Sequence, residues 1–496
     1  MFQRGQPPLA TFVFKHALVQ DAAHSTLLRG PRRILHAQIA EALETHFPEL
    51  MENQPEVLAQ HYEEAGLIKQ SVTFWGKAGR RSVARSAMAE AASQFQKGLD
   101  QLAVLPNSPE LQRQQLEFYS ALAAVLTAVR GQAAPETGYA YARARELWEH
   151  LGSSEEFLQV PFGQSRYHVG RGELDLAQRL DEDLLRLSQQ RNNSAGLVLG
   201  HYSAGRNLML AGKLASARTH LEHLLALHDP ISHRSIVEHA GFHVHVAAQA
   251  NLGLVRLCLG FPDQALAMTN AAIAEARRMA HPPSMAVSLT FGARLLLLVR
   301  DNAAVDARAN ELISVATEQG FPPWRAQGTI FGGWVKTING DLAGGISLLR
   351  SGSAAYRATG AEMFMPHYTA ILAGGCEIAG RVEEAVSLLE DALRSVERTG
   401  ERWFAAELNR HKGNLLLRQS HAEAAEERYC EALSIAQDQQ AKLWELRAAV
   451  SLARLRRDQG RCAEARDLLA PIYGWFTEGF ETPDLKEAKA LLDEVG

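Results

Sequence analysis

Glycine recurs at a fixed interval through the second half of this 496-residue sequence, and that interval constrains the fold more than any other feature. A glycine directly after a helix adopts the left-handed conformation without a steric penalty, so regularly spaced glycines indicate regularly spaced helix ends. An interval of 20 residues holds one helix of about 15 residues and a turn, which gives a helical hairpin every 40 residues. The grid comprises Gly320, Gly340, Gly360, Gly380, Gly400 and Gly460, with Ser420 and Gln440 at the two remaining points.

Two further columns of residues follow the 40-residue phase from position 172 to the last repeat, with eight extra residues between 212 and 260. Each repeat has a small residue and, two helical turns later, a large one on nearly the same face, as closely crossed helices require. The small column is Ala177, Ala217, Ala265, Val305, Gly345, Ala385, Ala425 and Ala465. The large column is Leu185, Leu225, Ile273, Ile313, Ser353, Leu393, Leu433 and Tyr473.

The apolar residues within one repeat show the helical period directly. Between Val382 and Val396 they recur at i, i+3, i+4 and i+7, with acids and arginines between them. The pairs Pro282-Pro283 and Pro322-Pro323 open first helices, where the N–H that proline lacks would have no partner. No stretch alternates as the strands of a substantial sheet would. The sequence therefore predicts an all-α fold, a right-handed α-solenoid of tetratricopeptide-like (TPR-like) hairpins.

Charge, cysteine usage and hydropathy exclude several classes of protein. The 51 lysines and arginines against 56 acids give a formal charge of −5, without the basic footprint of nucleic-acid binding. Four widely spaced cysteines, with no CxxC, argue against a disulfide framework or zinc site and favour a reducing cytoplasm. The longest aliphatic run, Leu295–Val299, is far shorter than the roughly 20 residues of a membrane helix. The sequence predicts a cytoplasmic protein without nucleic-acid or membrane partners.

Several strings in the sequence resemble one bacterial family. They are Phe14–Ala23, Leu27–Arg29, Arg32-Arg33 and Leu35-His36 near the N-terminus, and Thr399–Trp403, Gln440–Lys442 and Leu468–Phe480 later in the chain. These strings are similar to the end of the winged-helix region, and to the helical region after it, in predicted signal-transduction ATPases of the STAND, AAA-like class. In many members of that family a class III adenylate/guanylate cyclase domain precedes the ATPase.

The resemblance implies four segments. They are a remnant of the winged-helix end of an ATPase module at 1–50, irregular TPR-like hairpins at 51–160, regular repeats at 161–480 and a capping helix at 481–496. Because Met1 falls just before the winged-helix strings, we expect the chain to be a fragment or a truncated reading frame. The sequence has no GxxxxGK[ST] phosphate-binding motif, so the ATPase itself is expected to be missing.

The function expected from the resemblance is regulatory. The chain would be a non-catalytic protein-interaction or sensor region that regulates the missing ATPase or cyclase part, and no cofactor is expected. Its partner would be a protein, those catalytic domains, or a small-molecule or peptide effector. One alternative is the effector-binding arm of a STAND-type, LuxR-like transcriptional regulator, and another is a metal-dependent hydrolase that uses the histidines.

Two groups of side chains are candidates for a site. Aromatic residues on or near the first helices can line a peptide groove or pack between helices, and the sequence favours packing. They are Trp324, Trp334, Phe364, Trp403, Phe404 and Trp444. Among the histidines between 220 and 245, His239 and His243 have the i, i+4 spacing that can share a metal, but no HExxH pattern supports a metal site. No catalytic pattern such as GxSxG or GxGxxG is present, so no catalytic residue is predicted.

Overall fold

The computed structural model of the chain describes residues 2–4, 11–13, 28–153, 157–229 and 236–496, with the backbone alone for 2–4, 11–13, 50, 238 and 239. Two short antiparallel strands, β1 (Phe2–Arg4) and β2 (Thr11–Val13), pair near the N-terminus. The other regular elements that the structure describes are helices. The family-like residues at 14–27 lie outside the described part of the chain.

Contacts divide the chain into two compact units, one of Met1–Arg85 with Glu90–Leu111 and one of Ser86–Ala89 with Gln112–Gly496. In the first unit Leu58 and Trp75 belong to a core that joins its helices. The helices of this unit are α1 (Arg29–His46), α2 (Pro48–Asn53), α3 (Pro55–Ala65), α4 (Ile68–Ala84) and α5 (Met88–Leu102), and α6 (Pro109–Val129) runs from the first unit into the second.

The second unit contains the regular repeats. Its further helices are α7 (Pro135–His150), α8 (Gln159–Gly170), α9 (Leu174–Gln190), α10 (Ser194–Leu210), α11 (Leu214–Leu227), α12 (Ile236–Ala240), α13 (Val244–Cys258), α14 (Pro262–Arg278), α15 (Pro282–Leu298), α16 (Asn302–Glu318), α17 (Pro322–Ile338), α18 (Leu342–Arg357), α19 (Met365–Ile378), α20 (Val382–Thr399), α21 (Ala405–Arg418), α22 (Ala422–Asp438), α23 (Lys442–Asp458), α24 (Cys462–Tyr473) and α25 (Pro483–Val495). We call α8, α10, α13, α15, α17, α19, α21 and α23 the first helices of successive repeats.

The turns between these helices confirm the glycine grid. All six grid glycines have φ between 65° and 97°, the left-handed region that glycine enters without strain. Ser420 and Gln440, which replace glycine at two grid points, have φ of 66° and 56°. Arg300, at the corresponding point one repeat before Gly340, has φ of 64°. The left-handed turn is therefore a property of the repeat. The fold keeps this turn at Ser420, Gln440 and Arg300, although a residue with a side chain is strained in that conformation.

The small-residue column lies where the two helices of a hairpin cross. Six of its alanines are fully buried, namely Ala177, Ala217, Ala265, Ala385, Ala425 and Ala465. Between α17 and α18 the approach is closer still, because a Cβ on Gly345 would lie 2.2 Å from Thr337 Oγ1 and one on Gly333 would lie 2.9 Å from the Leu349 backbone nitrogen. The sequence places glycine in the column at Gly345 because the backbones leave no room for a side chain.

First helices that are five repeats apart touch each other. The carbonyl of Gly170, at the end of α8, accepts a hydrogen bond of 2.8 Å from the backbone N–H of Glu362, just before α19. Leu210, at the end of α10, makes the same contact with the N–H of Arg402, at 2.7 Å, just before α21. Both pairs are separated by 192 residues. The second unit therefore winds back on itself once in five repeats.

The last helix, α25, buries Leu485, Ala488 and Leu491 in the same core cluster as residues of α23 and α24. Thr482 precedes this helix and Pro483 occupies its first turn. A segment with both the length and the apolar character needed to cross a bilayer does not occur among the described helices.

Candidate functional site

Four of the six aromatic residues predicted from the sequence as groove or packing residues lie together inside the protein. Trp403 and Trp444 are fully buried, and their ring centroids are 6.4 Å apart. The ring of Phe404 lies 5.5 Å from that of Trp444, and the ring of Phe364 lies 5.8 Å from that of Trp403. The column thus connects successive first helices through edge and tilted ring contacts, which contribute to packing.

The two remaining tryptophans of the predicted set occupy separate places. The indole Nε1 of Trp334 donates to Asn302 Oδ1 at 3.2 Å, which joins α17 to the start of α16. Trp324, at the start of α17, lines an internal cavity together with Phe364. The structure therefore brings two of the six predicted groove residues to one cavity and places the other four elsewhere.

The histidine candidates do not form a metal centre in the described part of the chain. The side chain of His239 lies outside the described residues. The ring of His243 lies 5.0 Å from that of His281 and 5.8 Å from that of His245. Among the described residues, no group of three or more His, Cys, Asp or Glu side chains has an arrangement that can hold a metal ion.

Several of these histidines are instead neutral packing groups. Burial, together with the neighbouring imidazole of His243, lowers the pKa of His281 to about 4. Burial and the His228 and His243 imidazoles lower the pKa of His245 to about 4 in the same way. His281 also accepts a hydrogen bond from the backbone N–H of Ser284 and so caps α15. These rings are uncharged at neutral pH.

A cavity of about 100 Å³ lies among the first helices of the second unit. Its wall comes from α6, α8 and α10 early in the sequence and from α15, α17, α18 and the residues before α19 later in the sequence. Repeats that are remote in the sequence thus form the cavity together, as a result of the winding described above. We call it the arginine cavity, because Arg166, Arg206 and Arg294 line it.

Arg166 and Arg206 lie on equivalent positions of α8 and α10, and only 5% and 4% of their surfaces are exposed. Arg166 donates from Nη1 to the Ala240 carbonyl at 2.6 Å, and its guanidinium carbon lies 4.7 Å from the centroid of the Phe242 ring. Arg206 donates from Nε to Asn207 Oδ1 at 3.0 Å. The Nε of Arg166 and the Nη2 of Arg206 are buried, and no described residue is hydrogen-bonded to either atom.

Arg294, on α15, is completely buried. Its guanidinium carbon lies 3.7 Å from the centroid of the Phe364 ring, and its Nη2 donates to the Tyr368 hydroxyl at 2.6 Å. That hydroxyl in turn donates to Gln327 Oε1 at 2.6 Å. The Nε and Nη1 of Arg294 have no hydrogen-bond partner among the described residues. Within that part of the chain, stacking and one neutral hydrogen bond hold this charge in place, and no acid forms a direct ion pair with it.

No acidic side chain is among the described residues that line the arginine cavity. Asp181 lies behind Arg206, where it accepts hydrogen bonds from Ser165 Oγ and Asn207 Nδ2, each at 2.6 Å. Burial raises the pKa of Asp181 to about 6, even though these donors and Arg206 favour its charged form. A carboxyl with a pKa of about 6 is mostly ionised at neutral pH, so Asp181 offsets about one positive charge, whereas Arg166 and Arg206 together carry two.

Glu401 is the corresponding acid near Arg294. Its carboxylate accepts a hydrogen bond of 2.8 Å from the Phe364 N–H and one of 2.9 Å from Trp403 Nε1. Burial raises the pKa of Glu401 to about 7, against the opposing effect of those donors and of Arg294. The arginine cavity is therefore a buried, aromatic-walled and positively charged space.

The three arginines are not among the site residues predicted from the sequence. Arg166 and Arg206 are 40 residues apart, and Arg294 follows two repeats after Arg206 once the eight-residue insertion is allowed for. An arginine that recurs on the buried face of first helices is the signal that would have found them. A buried arginine needs an acceptor or an acid beside it, and no acid recurs with all three of these arginines at the 40-residue interval.

Comparison with known sequences gives one curated relative, and no family model matches the chain. The relative is "Uncharacterized protein R02095" of Rhizobium meliloti (strain 1021), which is 26% identical over 453 residues. The match covers 90% of this chain and 44% of that protein. The chain therefore spans less than half the length of its curated relative.

Comparison with solved structures gives helical proteins. The Rap protein complexed with Competence and Sporulation Factor matches with a TM-score of 0.54 and 10% identity, over 75% of this chain and 98% of that one. The Cut9-Hcn1 hetero-tetramer of APC/C matches with a TM-score of 0.44 and 12% identity, over 97% and 94% of the two chains. The likeness to Rap is evidence for the fold only. Together with the observed helical repeats, it confirms the predicted all-α, TPR-like solenoid.

Proposed function

We propose that this chain is a non-catalytic, TPR-like interaction and sensor region that binds an effector in the arginine cavity. The observation that carries the proposal is the origin of the cavity wall, which comes from repeats on successive windings of the solenoid. An occupant would contact α8 and α10 as well as α15 and α17. Its binding energy would therefore favour the closed winding over more open ones.

The solved structure with the same fold supports an effector-binding role. The Rap protein was solved as a complex with Competence and Sporulation Factor, so a protein of this architecture binds a factor. We propose a comparable capacity for this chain, with a small molecule or peptide as the effector.

We further propose that the effector regulates a catalytic part of a longer protein. The curated relative is more than twice as long as the stretch that this chain covers, which leaves room for further domains there. The family resemblance of the sequence suggests that those domains are a STAND-type ATPase and, in many members, an adenylate/guanylate cyclase. The chain itself would then transmit the state of the cavity to them.

A cavity-filling substitution tests this role. Val287, a partly buried residue on α15, lines the cavity, and Val287→Phe would fill much of the space that an effector needs. In a protein that joins this chain to its ATPase or cyclase part, we expect Val287→Phe to change nucleotide turnover at least threefold and to abolish its response to cell extract. Leu176→Phe, at an exposed position of α9, serves as the control.

Two results would contradict the proposed function. One is nucleotide turnover that Val287→Phe leaves unchanged and equally responsive to extract. The other is ATP hydrolysis or cyclic-nucleotide formation by the purified 496-residue chain alone, since the proposal assigns no catalysis to it.

A further inference from the structure

We propose that the arginine cavity binds an oxyanion, a carboxylate or phosphate group, carried on a single aromatic ring or an apolar group of similar size. This inference rests on the proposed function, because it names the chemical class of the effector. The unpaired nitrogens of the arginines and the charge and size of the cavity support this ligand class.

The arginines that line the cavity have four guanidinium nitrogens without a hydrogen-bond partner among the described residues. They are Arg166 Nε, Arg206 Nη2, and Nε and Nη1 of Arg294. Each of these side chains is at least nine-tenths buried, so little of its surface reaches bulk solvent. Buried polar groups in native proteins are nearly always satisfied, so a cluster of unsatisfied donors calls for an acceptor, and the acceptor that we propose is an anion. A carboxylate or phosphate supplies several acceptor atoms to guanidinium donors at once.

The charge of the cavity has the sign that an anion complements. Arg166 and Arg206 repel one another, and this repulsion adds to burial in lowering the pKa of Arg206. The acids nearby, Asp181 and Glu401, receive hydrogen bonds from other groups and do not line the cavity. An entering anion would offset this repulsion next to largely buried side chains, where charge interactions are stronger than in bulk water.

The size and wall of the cavity limit the rest of the ligand. The volume of about 100 Å³ is somewhat smaller than the roughly 150 Å³ of an apolar cavity that accepts benzene. Rings of Phe242, Phe291, Trp324 and Phe364 are among its lining. Because the cavity is not fully enclosed, a ligand of one ring with one oxyanion can place the oxyanion inside and leave part of its ring at the opening, whereas a folded protein domain does not fit.

Arg410 and Arg447, which are largely buried, have a structural role in the same protein because they form a network of ion pairs that joins helices. Arg410 donates to both carboxylate oxygens of Glu407, at 2.7 and 3.1 Å. Arg447 is shared between Glu407 and Asp484. The fold thus provides acids for arginines that hold helices together, whereas no acid in the described part of the chain makes a comparable contact with the arginines of the cavity.

Titration of the purified chain with four small probes tests the proposal. The probes are benzoate, phenyl phosphate, the neutral isostere benzamide and inorganic phosphate, followed by calorimetry at pH 7. We expect benzoate or phenyl phosphate to bind with a dissociation constant of about 1 mM or lower, at least tenfold tighter than benzamide. A preference for benzoate identifies a carboxylate ligand, and a preference for phenyl phosphate or inorganic phosphate identifies a phosphate ligand.

Substitutions locate the binding. We expect Arg206→Met to weaken the preferred probe at least tenfold, and Arg166→Gln serves in the same way if Arg206→Met does not fold. Arg325→Met, at an exposed position of α17 next to Trp324, should leave the dissociation constant unchanged. Benzamide binding as tightly as benzoate, no probe binding at all, or unaltered binding by both folded cavity variants would overturn the proposal.

This test is separate from that of the sensor role. If probe binding depends on the arginines but Val287→Phe leaves nucleotide turnover unaffected, the cavity binds an oxyanion and the proposed regulatory role is wrong. Altered turnover without any oxyanion binding would retain regulation and reject the ligand class.

Discussion

The guanidinium of Arg447 binds the carboxylate of Asp484 through two parallel hydrogen bonds, from Nε to Oδ1 at 2.9 Å and from Nη2 to Oδ2 at 2.8 Å. Arg447 lies on α23 and Asp484 in the first turn of α25, so the pair fixes the last helix to the repeat before it. The two side chains are only 12% and 8% exposed. Arg447 also donates from Nη1 to Glu407 Oε2 at 3.2 Å, which gives this buried charge two acidic partners.

Loss of Asp484 should therefore destabilise the protein. We expect Asp484→Ala to lower the free energy of unfolding by about 3 kcal/mol, because it leaves part of a buried charge uncompensated. Urea unfolding followed by circular dichroism measures this change. The control is Glu494→Gln, which removes the partner of Arg457 at the surface of the same helix and should change the free energy by less than about 0.5 kcal/mol. Equal effects of the two variants would contradict the structural role of Arg447.

Acid should destabilise the protein through its buried histidines. His281 has its pKa lowered to about 4 by burial and by His243, against an ordinary value of 6.5, so the unfolded chain binds more protons below pH 6.5. The contribution of His281 to the free energy of unfolding is complete above pH 6.5. It decreases by roughly 3 kcal/mol as the pH falls toward 4. Asn accepts the same helix-capping hydrogen bond without titrating. We expect His281→Asn to reduce the loss of stability between pH 7 and 4 by that amount, and an unchanged pH profile would refute the assignment.

Glu401 should have the opposite pH dependence. Burial raises its pKa to about 7 from an ordinary 4.5, so the folded state binds more protons and stability decreases as the pH rises from 4.5 through 7. The loss from this one group is about 3 kcal/mol. We expect Glu401→Gln to remove that slope between pH 5 and 8, measured by urea unfolding at several pH values. A variant that keeps the slope would show that another group produces it.

The winding of the second unit can be tested with two glycines of the grid. Gly360 has φ of 80°, and a Cβ there would lie 2.5 Å from the carbonyl oxygen of Ala133, a residue more than 200 positions earlier. Gly380 has φ of 75°, and a Cβ there would meet nothing within 4 Å in the described chain. We expect Gly380→Ala to lower the free energy of unfolding by about 1 kcal/mol, because it strains the backbone without adding a clash.

Gly360→Ala should cost at least about 2 kcal/mol more than Gly380→Ala, because the added methyl group also clashes with backbone from a remote repeat. Thermal unfolding of both variants beside the wild type gives the comparison. Identical midpoints for the two variants would mean that the contact between Gly360 and Ala133 does not form in solution.

Much of the fold could be predicted from the sequence because the repeat is local. The left-handed turns at Ser420 and Gln440 followed from their places on the glycine grid, and the small column correctly located the helix crossings. These features depend on one hairpin and its neighbour, which is the range over which the hydrophobic period and turn residues act.

The winding and the cavity could not be predicted in this way. The contact between Gly170 and Glu362 depends on a small rotation per repeat that accumulates over five repeats, and no single hairpin encodes it. The aromatic column was visible in the sequence, yet only the winding determines that Trp324 and Phe364 line a cavity while Trp403 and Trp444 are packed away from it. The recurrence of Arg166, Arg206 and Arg294 is also visible in the sequence, but it does not reveal that the winding brings the three side chains to one cavity.

The central claim is that the arginines of the cavity serve a ligand and do not stabilise the unliganded fold. Comparing Arg294→Met with Arg447→Met in urea unfolding, without any added ligand, tests it most directly. We expect Arg447→Met to lower the free energy of unfolding by about 3 kcal/mol, since Glu407 and Asp484 each lose one of their two arginine partners. Arg294→Met should leave it unchanged or raise it, because a buried charge with two unsatisfied nitrogens is removed. A loss of more than about 2 kcal/mol in Arg294→Met would contradict the account.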